Sequence, residues 1–134
     1  MLYAILCYAS EDVVSSWSKA QDDEVMAKLL NVQQKYADAG RLGPVARLLP
    51  TTAATTLRKV KGESVVIDGP FAETKEMLGG ILLLEARDLD HAVELMSKHP
   101  GVKMGPFEIR PAHEAVNRLI AERDAAVAKQ ARSK

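Results

Sequence analysis

The side chains best suited to chemistry in this chain lie in one stretch, Asp68-Gly69-Pro70-Phe71-Ala72-Glu73-Thr74-Lys75-Glu76. Carboxylates such as Asp68 and Glu73 can take a proton from a substrate or anchor a polar group, and Lys75 offers a cation to an anionic one. A structural reading stands beside this. In it Asp68 accepts backbone N–H bonds in a turn, and Gly69 takes a conformation that a β-carbon would resist. Pro70 then fixes the chain, Phe71 plugs the end of the domain, and Glu73, Lys75 and Glu76 are solvated. Under either reading Phe71, Glu73 and Lys75 remain candidates for ligand contact, because loops on a rigid scaffold carry function.

The remaining reactive residue types are scattered. His91, His99 and His113 have neither His-x-His nor His-x₃-His spacing, and Cys7 is the single cysteine. No metal site is therefore expected, and each histidine is read as a surface residue. Cys7, inside an apolar run, reads as a small buried residue. Arg58, Lys59 and Lys61 suit a solvated strand edge, and no stacking aromatics accompany them. No Gly-x-Gly-x-x-Gly or Walker pattern occurs, so no nucleotide cofactor is expected.

The elements that must position these residues follow from hydrophobic period. Leu2–Tyr8 is a short, continuous apolar run and predicts a buried strand. Val25, Leu29, Val32 and Tyr36, widened by Met26 and Leu30, predict an amphipathic helix over 22–39, with Gly40 just past its end. Strands are predicted over 41–49 and 80–86. A Thr- and Val-rich hairpin is predicted over 54–67, turning at Lys61-Gly62. Asp88 caps a helix with Leu89, Ala92, Val93 and Met96 on one face, and Pro100-Gly101 stops it. A strand over 104–110 and a last helix opening at Pro111 complete the chain.

The order is βαβ, an inserted hairpin, then βαβ, which predicts an α+β fold of the ferredoxin-like, split-βαβ type with an extra C-terminal helix. Residues 1–111 form the domain and 112–134 a helical extension that packs on it or on a partner. Two helices cover one sheet face, so the other calls for a second copy, and a homodimer is expected.

At 134 residues with 47% hydrophobic side chains, the chain suits one globular domain. Eighteen basic groups balance eighteen acidic ones, which argues against direct nucleic-acid contact. The apolar N-terminus is too short for a membrane span and has no basic flank, so no membrane partner and a cytoplasmic location are expected. The lone cysteine suits a reducing compartment.

The segment Asp68–Glu76 with Gly79-Gly80 resembles the signature of the YCII-related family, in the branch called DGPF-domain proteins. Gly40-Arg41-Leu42 and Glu108-Ile109-Arg110-Pro111 extend the resemblance over nearly all of residues 1–111. It implies a dimeric α+β barrel with a small-molecule cleft between the sheet and the loop of Asp68, in a binder or a cofactor-independent enzyme. Gly69, Pro70, Gly79 and Gly80 are its architectural positions. The alternative it implies is a non-catalytic regulatory or interaction module associated with transcription initiation and sigma factors, without direct DNA binding. Some members pair an Asp at the place of Asp38 with a His on the first helix, an arrangement suited to proton transfer. Here that helix has no His, and the expected position falls near Leu29, so the general base of that mechanism is missing. Asp38 remains a polar helix-end residue and ligand candidate.

Overall fold

Alternating burial along the first strand decides which face of the molecule becomes core. Tyr3 and Ile5 are buried, while Leu2, Ala4 and Leu6 are half-buried, because successive side chains of a strand point to opposite faces. The computed structural model describes residues 1–133; residue 134, the last of the C-terminal extension, lies outside them. The elements are β1 (Leu2–Ala9), α1 (Glu11–Ser15), α2 (Lys19–Asp38), β2 (Leu42–Arg47), β3 (Thr55–Val60), β4 (Glu63–Asp68), β5 (Met77–Glu85), α3 (Leu89–Ser97), β6 (Phe107–Pro111) and α4 (Glu114–Ser133). Strands β2-β5-β1-β6 form one antiparallel sheet in that order, and β3-β4 a separate hairpin. This is the ferredoxin-like α+β arrangement, with the hairpin inserted between β2 and β5.

Several boundaries differ from the sequence expectation for identifiable reasons. Helix α2 starts at Lys19, because Ser18 and Gln21 form a reciprocal capping box. The last strand starts at Phe107 rather than Met104, since Pro100–Lys103 winds into a 3₁₀ turn. Pro111 closes β6 instead of opening a helix. Pairing runs past it through the Ala112 N–H to the Leu2 carbonyl at 2.9 Å, and the outer strand tolerates a missing donor. Gly69 adopts φ +105° at the exit of β4, a backbone conformation that suits glycine, as the turn reading requires.

Strand register explains where the core is dense and where it is not. On the helix-covered face, Leu42, Leu84 and Tyr3 form one cross-strand row, and Val45, Leu82, Ile5 and Ile109 form the next. Leu82, Leu84, Tyr3 and Ile5 bury against Tyr36, Ala92 and Met96. The Tyr36 hydroxyl donates to the Leu95 carbonyl and so fastens α2 to α3. The third row, Arg47, Gly80, Cys7 and Phe107, has no aliphatic bulk at its centre. The C-terminal half of α2 therefore packs, and its N-terminal half stands over open space.

Three apolar surfaces stay uncovered within one chain. Ile81, beside Leu6 on the opposite sheet face, is 42% exposed. Leu57 and Val66, directly paired across the hairpin, are 68% and 65% exposed. Val116, Leu119, Ile120 and Val127 of α4 are exposed as well, so the stripe of α4 finds no cover within its own chain.

Candidate functional site

Above the third row lies a cleft of about 940 Å³, within the range of small-molecule sites. Cys7, Gly80, Leu82 and Phe107 make its floor, and Val25, Met26 and Leu29 of α2 make its wall. Trp17 and the chain from Val45 to Pro50 form the rim. Three inter-strand spacings of about 4.8 Å put Arg47 and Phe107 roughly 14 Å apart across the floor. Gly80 needs no special backbone, and a β-carbon there would meet the Ala46 carbonyl oxygen at 3.4 Å and Cys7 Cβ at 3.8 Å. Its missing side chain is therefore what leaves the floor open.

The two ends differ in polarity. At the β2 end Arg47 pairs with Asp22 at 2.9 Å, and both groups are partly solvated, so the pair adds little to stability. Nearby, the Glu11 carboxylate accepts from the Thr51 N–H and hydroxyl, each at 2.7 Å, which ties α1 to the loop after β2. At the other end His99 is 5% exposed. Its Nδ1 accepts the Gly101 N–H at 3.0 Å, and its ring meets Phe107 edge-on with centroids 5.4 Å apart. A β-carbon on Gly101 would press on both rings at 3.0 Å, so glycine there is what lets them meet. Burial pushes the His99 imidazole below its ordinary value of 6.5 and the Cys7 thiol up to about 11. Both groups are uncharged at neutral pH.

His91 and His99 thus correct the expectation of surface histidines. His91 Nδ1 accepts the Arg87 N–H at 3.0 Å, and its own N–H is capped by Asp88. Each is buried because it closes a helical turn with one ring nitrogen. The readable signal was His99-Pro100-Gly101, a hydrogen-bonding side chain ahead of a proline that opens a turn. His91 is also held below 6.5, by burial first, then by Arg87 and Arg41, against the opposite pull of Glu94 and Asp88.

A depressed folded-state value makes the unfolded chain the better proton acceptor. Stability from both histidines is thus complete above pH 6.5 and declines as pH falls below it. Melting temperature is expected to drop as pH falls below 6.5, more steeply than in a His99→Asn variant. Parallel pH profiles for the two proteins would rule out a contribution from His99.

The residues singled out from sequence lie elsewhere. Asp38 ends α2, accepts from Gln34 Nε2 at 2.8 Å and is exposed. Asp68 ends β4 opposite Thr55. Thr56 Oγ1 donates to the Gly69 carbonyl and the Gly69 N–H to Ala54, so the turn is stitched to β3. Phe71 is 78% exposed beside Leu57 and Arg58 and plugs nothing within one chain. Glu73 and Lys75 are exposed, and Pro70 is half-buried. None of these residues lines the cleft, whereas Gly79, Gly80 and Leu29 do. Among the described residues, no group of three or more potential metal ligands gathers, and no helix is long and apolar enough to cross a membrane.

An uncharacterized protein of Rhizobium meliloti (strain 1021) is 54% identical over 115 residues, covering 83% of this chain and 91% of the relative. The model of the YCII-related domain matches residues 1–115. The chain belongs to the YCII-related domain family.

Proposed function

We propose that this protein binds a small, largely apolar molecule in the cleft between α2 and the sheet, and does so as a homodimer. The observation that carries the reading is the third cross-strand row. Where two rows of Leu, Ile and Tyr fill the core, Gly80 and Cys7 leave about 940 Å³ with one buried imidazole at its end. A domain that only needed stability would fill that space, since core voids are costly.

The dimer is supported by area. A folded monomer of 14.6 kDa exposes about 6,900 Å², and this chain exposes 9857 Å². The excess of roughly 3,000 Å² is well above the ~800 Å² per partner of a stable complex. The open sheet face, the hairpin and α4, with the apolar side chains already described, contribute to it. A second copy covers the sheet face, because a two-fold axis sets the same patch of both chains against each other.

Gly80→Leu tests the cleft. A β-carbon there meets the Ala46 carbonyl oxygen at 3.4 Å and Cys7 Cβ at 3.8 Å, ordinary contact distances, so the backbone accepts a side chain. The variant is expected to keep its fold and lose the thermal stabilisation that hits from a small-molecule library give the parent. Hits that stabilise both proteins equally bind elsewhere and would overturn the reading in favour of an interaction module.

A further inference from the structure

We infer that the cleft selects an uncharged ligand, one with an apolar body and a single hydrogen-bond acceptor such as a ketone or amide carbonyl, met by Nε2–H of His99. The inference rests on the cleft reading above and narrows it to a ligand class. Because His99 Nδ1 is occupied as acceptor by the Gly101 N–H, the proton of the neutral ring sits on Nε2. That atom has no protein partner among the described residues, is not sealed from solvent, and belongs to a side chain lining the cleft. As the unbonded, solvent-reachable donor of a cleft-lining side chain, it is the group we assign to the ligand. In this tautomer it is not a base, so His99 is a specificity-determining residue rather than a proton acceptor.

The surroundings decide between a neutral and an anionic acceptor. Phe107, Met104, Leu82 and Cys7 line the inner end, and burial alone shifts the imidazole, with no charged neighbour contributing. A carboxylate bound at this end would lose its hydration, which is costly in an apolar setting. The two cations along the cleft, Lys19 and Arg47, are outnumbered by Glu11, Asp12 and Asp22, and Arg47 is already paired with Asp22. A neutral carbonyl loses less hydration and gains the Nε2 donor.

Three probes with one apolar body separate these terms: ethylnaphthalene, acetylnaphthalene and naphthoate. The parent protein is expected to bind acetylnaphthalene about tenfold more tightly than either of the others by titration calorimetry. His99→Asn keeps an acceptor for the Gly101 N–H, since Asn caps such turns, and its own N–H₂ lies one bond from Cγ rather than two, short of the place of Nε2. In that variant acetylnaphthalene is expected to lose its advantage over ethylnaphthalene. His91→Asn, at the other buried histidine and outside the cleft, is expected to keep the ketone preference. Equal binding of ketone and hydrocarbon to the parent, or tighter binding of naphthoate, would overturn the inference and leave the cleft reading standing. Binding of all three that survives Gly80→Leu would instead remove the cleft itself.

Discussion

Leu82→Glu is expected to abolish folding, whereas Leu83→Glu, one residue along the same strand, is expected to yield a folded monomer. Leu82 is 2% exposed and packs in the row of Ile5. A carboxylate placed there has no partner, and the penalty of burying it, more than about 4 kcal/mol, is a large part of a domain's stability. Leu83 points to the other face, beside Ala4 and against Gly43, where a β-carbon would already touch it. Its substitution leaves the covered core alone and puts charges on the proposed two-fold interface, where two copies would bring them together. Sedimentation velocity reads the outcome. A parent protein that is monomeric at low micromolar concentration, or a Leu83→Glu protein that remains dimeric, would overturn the dimer through this face.

Much of the fold was legible because the local signals agreed with one another. The 3.6-residue stripe of α2, the Asp88 cap and the Lys61-Gly62 turn each point to the element found, and their order leaves few topologies to choose from. The cleft was not legible, since it is a property of register rather than of any segment. Cys7 and Gly80 are 73 positions apart in sequence, and only their pairing shows that two small residues share one row. Leu29 read as core stripe and as the place of a missing histidine; it now lines the cleft, and Asp38 is nine residues further along the helix, at its end. The charged loop drew attention because polar, turn-rich stretches look functional. Its hydrogen bonds to β3 show what those turn residues accomplish in one chain, which is to anchor the hairpin. The burial of His99 depends on a backbone donor two residues away, which hydropathy does not register.

Gly105→Ala is expected to destabilise the protein by about 3 kcal/mol although nothing in its surroundings is chemically active. A β-carbon at this position would overlap the Tyr8 carbonyl oxygen and approach the Tyr8 carbonyl carbon at 2.8 Å and Ala9 Cα at 3.0 Å. All three contacts are backbone, so no rotamer change relieves them and the end of β1 must move. That shift would break the bond from the Tyr8 N–H to the Pro106 carbonyl, 3.0 Å long, at the place where pairing with β5 is already irregular after Cys7. Since Cys7 and Phe107 make the cleft floor, the same shift is expected to weaken ligand binding beyond the stability loss. Urea unfolding checks the first effect through a lower midpoint at unchanged slope. Ligand titration well below the transition checks the second. A variant as stable as the parent would mean that the β1 end yields freely, and the floor of the cleft would then have to be regarded as compliant rather than built.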